Sequence, residues 1–140
     1  MGGPVTPFAL LASLAGLSRE EAGELVGFPL DTVKSWAAGR RPARPEALAA
    51  LRGLIAAQER GAAEALAEIA RVIAAQGAPD RIDIGFPSDD HEAQTLGFPS
   101  VGAWGAMAAR VLARSPIPIR LVPRGATLAS AAAADARDRL

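Results

Sequence analysis

The 140-residue chain is half hydrophobic, and its 15 basic and 15 acidic side chains cancel to a formal net charge of zero. This length accommodates one domain or two very small ones, and the charge balance excludes a bulk polycation, so any nucleic-acid surface must be local. The absence of cysteine excludes disulfides, thiolate metal sites and thiol catalysis.

The chain opens with the pattern of two short helices. Apolar residues at helical spacing predict the first over Pro7–Leu17, and Gly16-Leu17 is expected to end it. Ser18 followed by Glu21 has the pattern of a capping box, which predicts a second helix over Arg19–Val26. Gly27 is placed to end that helix with a left-handed turn.

A third short helix and a long helical segment follow. The third helix is predicted over Leu30–Ala38 and leads into a basic, proline-bounded loop at residues 40–45. Residues 46–76 hold a helical pattern without a proline, so either one continuous helix or two helices broken near Gly61 would account for them. Steps of three and four, the spacing of a heptad seam, connect Leu48, Leu51, Ile55, Gln58, Ala62, Ala65, Ile69 and Val72.

The C-terminal part has the pattern of a small β-α-β-like unit over residues 78–124. Alternation predicts short strands over Arg81–Gly85 and Ile117–Val122, and Pro118 indicates a sheet edge. Between the strands, residues 89–113 are mainly helical, with an interruption at a Gly-Phe-Pro sequence. Because two strands alone are marginally stable, we expect this unit to pack on the long helix or on a second copy of itself.

The third predicted helix has two different faces. Val33, Trp36 and Ala37 fall on one side, where they can pack on the second helix, and Trp36 is expected in the core. The opposite side has small or hydrogen-bonding side chains at Asp31, Lys34, Ser35 and Ala38. A helix that enters the DNA major groove needs short side chains, which let it approach closely, and a few polar groups that can bind base edges. The loop directly after this helix contains arginines that can bind backbone phosphates, at Arg40, Arg41 and Arg44.

The local charge of this region favours contact with nucleic acid. Residues 31–52 hold five basic and two acidic side chains, a local charge of +3. The preceding helix carries Glu20, Glu21 and Glu24, which argues against that helix lying flat on phosphates.

Residues 22–42 read AGELVGFPLDTVKSWAAGRRP and resemble the Cro/lambda-repressor-like (Xre-type) helix-turn-helix. The matching positions are Ala22, Gly27, Phe28, Thr32, Val33, Trp36, Gly39, Arg41 and Pro42. The departures are Glu20 and Glu21, where the family often has glutamine, and Ala37, where it often has glutamate. The resemblance implies a homodimeric transcriptional repressor that binds an inverted repeat in double-stranded DNA, such as the autoregulator of a small phage or plasmid operon.

The family's motif also implies roles for individual residues. The residues that would face bases are Leu30, Asp31, Lys34 and Ser35. Of these, Asp31 would accept a hydrogen bond from a cytosine amino group and Lys34 would reach guanine. The residues that would contact phosphates are Thr32, Arg40, Arg41 and Arg44.

A helix-turn-helix followed by a long helix and a small α+β module is similar to compact phage and plasmid regulators, among them the anti-CRISPR-associated repressors. In that group the C-terminal module pairs two chains. The expected fold is therefore mainly α, with a helix-turn-helix domain over 1–57, a connecting helix over 58–77, a small α+β dimerisation module over 78–124 and an alanine-rich tail over 125–140. The apolar residues that would bury against the partner are Val101, Trp104, Met107, Ala108, Val111 and Leu112.

The sequence supplies little for other chemistry. Residues 89–92 are of types that can bind metal ions, but adjacent side chains at a helix start point in different directions, so no metal site is expected. One histidine, one lysine and no cysteine indicate neither an enzyme nor a cofactor. No apolar stretch reaches the roughly 18 residues of a membrane span, and no signal-peptide pattern is visible, so we expect a cytoplasmic protein without a membrane partner. Three other functions stay open: an antitoxin whose C-terminal half binds a toxin-like protein, an RNA-binding regulator, and a protein-interaction adaptor.

Overall fold

The computed structural model describes residues 5–124, so residues 1–4 and the alanine-rich tail lie outside the described part. Six helices hold 64% of the described residues, and two strands form a small parallel sheet near the C-terminal end. The helices are α1 (Pro7–Leu14), α2 (Arg19–Val26), α3 (Leu30–Ala38), α4 (Pro45–Gln76), α5 (Asp90–Thr95) and α6 (Val101–Arg114), and the strands are β1 (Ile82–Phe86) and β2 (Ile119–Pro123). Across residues 5–124, no helix combines the length and the apolar character needed to cross a membrane.

Local backbone signals define the first three helices. The capping box is present, because Ser18 Oγ accepts from the Glu21 N–H at 3.1 Å and Glu21 Oε1 accepts from the Ser18 N–H at 2.9 Å. Both α2 and α3 have the predicted bounds. The predicted turn that ends the first helix is present, because Gly16 adopts φ +74°, although α1 itself runs only to Leu14.

The long helix α4 is continuous over 32 residues, which confirms the first of the two interpretations. Gly61 lies inside it where α6 packs closely: a Cβ at Gly61 would lie 3.2 Å from Met107 Cγ and 3.5 Å from Phe98 Cζ. Because α4 contacts α1, α2 and α6, the heptad-spaced residues pack within the same chain. Those that are buried are Leu51, Gln58, Ala62 and Ile69.

The two strands lie parallel, with Ile82 opposite Ile119, and α5 and α6 form the crossover between them. This arrangement confirms the β-α-β-like unit, although each strand begins later than predicted. Pro118 precedes β2, and its carbonyl accepts from the Ile82 N–H at 3.0 Å. Apolar residues of both strands pack with Ile69 of α4 and Val111 of α6, so the unit packs on the long helix as expected.

The N-terminal helices and the C-terminal unit share a core. Its buried members include Phe8, Trp36, Leu51, Phe98 and Trp104. The fully buried Gln58 on α4 also joins the two parts, because its Nε2 donates to the carbonyls of Ala15 at 2.9 Å and Ala103 at 3.0 Å. This amide ties the end of α1 to the start of α6.

Candidate functional site

A tight turn joins α2 to α3. Gly27 has φ +80°, and its N–H donates to the Gly23 carbonyl at 2.9 Å, while the Phe28 N–H donates to the same carbonyl at 3.1 Å. A Cβ at Gly23 would lie only 3.0 Å from the Phe28 carbonyl oxygen, so the absence of a side chain there lets the turn close. Pro29 then precedes α3, and its carbonyl accepts from the Val33 N–H at 3.1 Å.

Aromatic contacts anchor the inner face of α3. Trp36 is 3% exposed and meets the ring of Phe28 at 4.9 Å and the ring of Phe8 at 5.5 Å between centroids, both edge-on. Thr6 Oγ1 donates to the Ala37 carbonyl at 3.3 Å. These contacts hold α3 against α1 and the turn, and they confirm that Trp36 is a core residue.

The outer face of α3 carries three of the four residues expected to face bases. Leu30 is 38% exposed, and Asp31 and Lys34 are exposed as well. Neither of the two charged residues has an ion-pair partner within residues 5–124. Thr32, expected at a phosphate, is half-buried. The start of α3 therefore presents an open face with one acceptor group and one donor group.

The expectation that Ser35 faces outward is wrong, because it is 7% exposed. Gly39 ends α3 with φ +80°, and the Arg40 N–H donates back to the Ser35 carbonyl at 3.0 Å. This reversal brings Arg41 over the end of the helix, where its Nε donates to Ser35 Oγ at 3.3 Å. Ser35 thus positions an arginine, and the glycine after the helix was the only sequence signal for that reversal.

The three arginines after α3 are all exposed, but their surroundings differ. Arg44 Nε lies 2.9 Å from Glu46 Oε1, and its guanidinium stands 5.8 Å from the centre of the Phe28 ring. Arg41 is held by Ser35, whereas Arg40 has no ion-pair or side-chain hydrogen-bond partner among residues 5–124. No sequence pattern had indicated Phe28 or Glu46 as a partner of Arg44.

Most of the residues predicted to form a dimer interface pack within the same chain instead. Trp104, Ala108 and Val111 are buried against the core of the same chain, which corrects the expectation that they bury against a partner. The physical reason is that α6 turns this face towards α4. Val101 and Met107 are half-buried against the same core. Leu112 alone of the set is exposed, at 43%.

Two acidic residues of the segment 89–92, Asp89 and Asp90, act as helix caps. Asp89 Oδ1 accepts from the Glu92 N–H at 2.8 Å, and Asp90 Oδ1 accepts from the Val101 N–H at 2.9 Å. Throughout the described residues, no group of three His, Cys, Asp or Glu side chains converges to hold a metal ion.

Comparisons with known proteins do not assign the chain to a family, since no family model matches it and no curated protein matches it. The function has to be inferred from the geometry of α2, α3 and the arginine loop that follows them.

Proposed function

We propose that this protein is a sequence-specific DNA-binding transcriptional repressor of the Xre type, with α2 and α3 as its helix-turn-helix, acting as a homodimer on an inverted repeat. Control of its own small operon belongs to this proposal. The observation that carries it is the outer face of α3. Exposed Leu30, Asp31 and Lys34 stand there beside a loop with three exposed arginines.

Each group on this face has a chemical counterpart in the major groove. The ammonium of Lys34 can donate to the acceptors of guanine, and the carboxylate of Asp31 can accept from the amino group of cytosine. Leu30 can contact a thymine methyl group. The short turn between the two helices is the connection that such motifs use to place a recognition helix in the groove.

The arginine loop supplies the contacts that do not depend on sequence. Arg40 is available to a phosphate as it stands, and Arg41 is already oriented through Ser35. Arg44 would exchange Glu46 for a phosphate, at the cost of an exposed ion pair that contributes little to stability. Because these contacts release counterions, affinity for DNA should fall steeply with salt.

The charge of α2 indicates which helix meets the DNA. Glu20 and Glu24 are exposed, and Glu21 is engaged in the capping box. These carboxylates would repel the backbone if α2 lay along it. Docking through α3 keeps them away from phosphates.

The homodimer is supported by the outward side of α6. Apart from the terminal Arg114 and from Gly102, which packs on Gly16, its exposed residues are all apolar: Ala109, Leu112 and Ala113. A helix face open to water normally carries charged or polar side chains. Exposed Leu96 and Leu121 border the same cleft as Leu112 and extend the apolar surface. A second copy on this surface would have to set the two α3 helices about 34 Å apart.

The test is selection of bound sequences from a random duplex DNA library at near-physiological salt. Recovery of an inverted repeat with half-sites about one helical turn apart is expected. Lys34→Ala should change the recovered motif at one position of each half-site, whereas Arg60→Ala, at an exposed arginine of α4, should not. Failure of folded protein to select any motif would contradict the proposal. In a separate competition experiment, displacement of bound DNA by structured RNA at equal concentration would favour the RNA-binding alternative.

A further inference from the structure

A groove of about 380 Å³ lies between the start of α1, the end of α3 and the loop that carries Arg41. Its walls are apolar and include the side chains of Phe8, Trp36, Pro42 and Leu48. The volume falls within the range of small-molecule sites, which are mostly apolar with a few placed polar groups. Of the groove's side chains, the helix-turn-helix proposal uses only Arg41 to contact DNA.

The polar groups of the groove leave a single side chain available to a ligand. Thr6 is engaged twice, because its Oγ1 donates to the Ala37 carbonyl at 3.3 Å and accepts from the Ala9 N–H at 3.1 Å. Arg41 uses only Nε, towards Ser35. Its terminal amino groups have no partner among residues 5–124, and no carboxylate of those residues lines the groove.

A guanidinium beside an apolar cleft defines the class of ligand. Two terminal N–H groups in a fixed fork match a carboxylate, which they can bind through two parallel hydrogen bonds. An apolar body on that carboxylate would be removed from water against the aromatic and aliphatic walls. The groove offers one cationic side chain, whereas a polyanion such as a nucleoside phosphate requires several.

We propose that this groove binds a small monocarboxylate with an aromatic or aliphatic body, whose carboxylate pairs with Arg41 and whose body lies against Trp36 and Leu48. The pairing takes Arg41 away from the DNA phosphate, so the bound acid weakens DNA binding. This second step rests on the proposed function, whereas the binding step does not.

Binding is tested with two probe acids, 3-phenylpropionate and octanoate, each beside its neutral alcohol. Trp36 lies in the groove, so the variant Trp104→Phe leaves it as the only tryptophan and its fluorescence reports occupancy. Calorimetric titration of the unmodified protein gives the same affinities if that variant does not fold. Both acids should bind saturably, at least about tenfold more tightly than their alcohols, because only a carboxylate brings a negative charge and two acceptor oxygens to the guanidinium.

Matched variants identify the cation. Arg41→Gln should remove the preference for acid over alcohol, whereas Arg40→Gln, outside the groove, should keep it. Absence of saturable binding for both acids, equal binding of acids and alcohols, or a preference that survives Arg41→Gln would each overturn the proposed site.

The DNA step has its own readout. The acids should raise the apparent Kd for operator DNA in wild type and not in Arg41→Gln, with acetate at equal concentration as the ionic-strength control. Binding of the acids without any change in DNA affinity would refute the regulatory step. A protein that binds the acids but no DNA would refute the proposed function while leaving the binding site in place.

Discussion

Gly16 and Gly102 are in direct backbone contact where the N-terminal helices meet α6. A Cβ at Gly16 would lie 2.2 Å from the Gly102 carbonyl oxygen, and a Cβ at Gly102 would lie 2.3 Å from the Gly16 carbonyl oxygen. Neither backbone atom can rotate aside as a flexible side chain would. The two glycines therefore allow the start of α6 to dock beside the end of α1.

Gly102→Ala is expected to lower the free energy of unfolding by about 1–3 kcal/mol, because the added methyl group overpacks a backbone contact. Gly105→Ala in the same helix is the matched control, since nothing lies within 4 Å of its Cβ position. Alanine there should be neutral or stabilise by up to about 1 kcal/mol. Urea unfolding followed by circular dichroism measures both, and equal effects would rule out the close contact.

Substitutions on α3 and on its loop should affect DNA binding in different ways. Lys34→Ala should cost about 1–3 kcal/mol of binding free energy and relax the choice of base at one position. Arg40→Ala should weaken binding to all sequences alike and reduce the salt slope by about one. Titrations of labelled operator and of a scrambled duplex at several salt concentrations separate the two. A uniform loss from Lys34→Ala would mean that it contacts a phosphate.

The ion pair between Glu59 and Arg110 should make stability depend on pH. The hydrogen bond from Arg110, with Nε 2.6 Å from Glu59 Oε1, lowers the pKa of Glu59 from its ordinary value of 4.5. Partial desolvation opposes this effect, and the charges of Arg110 and Arg114 reinforce it. Because the carboxyl pKa is lower in the folded state, the stabilisation is complete well above pH 4.5 and is lost as pH falls below that value.

Glu59→Gln tests this dependence. The variant should be less stable than wild type at neutral pH, and the difference should shrink as pH falls below 4.5. Glu64→Gln is the control, because Glu64 is exposed and has no ion-pair partner within residues 5–124. Urea unfolding across the acid range gives the comparison. A difference that stays constant with pH would show that the pair contributes nothing through its charge.

Leu112→Glu should weaken the proposed homodimer, because it places a charge on the apolar outward side of α6. Leu30→Glu is the matched control: Leu30 is similarly exposed, at 38% against 43%, but belongs to the α3 face. Sedimentation velocity should give a reduced mass for the first variant alone. A wild-type protein that stays monomeric at the concentrations where it binds DNA would contradict the homodimer itself.

Much of the local structure was readable from the sequence because its causes are local. The Ser18–Glu21 capping box and the left-handed glycine at position 27 act on their own backbone neighbours, and α2 and α3 have the predicted bounds. The inward direction of Trp36 followed from helical spacing. Each of these features depends on interactions within a few residues.

Three other features did not follow from the sequence pattern. Gly61 lies inside a continuous α4 where α6 packs beside it, and Ser35 is buried where Arg41 of the following loop contacts it. The apolar stripe with Trp104 and Val111 was readable as a buried face, but periodicity does not say whether α4 or a second chain covers it. Local sequence patterns therefore sufficed to predict the helices, caps and turns, whereas the faces that meet could be found only from the packed chain, because burial is a property of that packing.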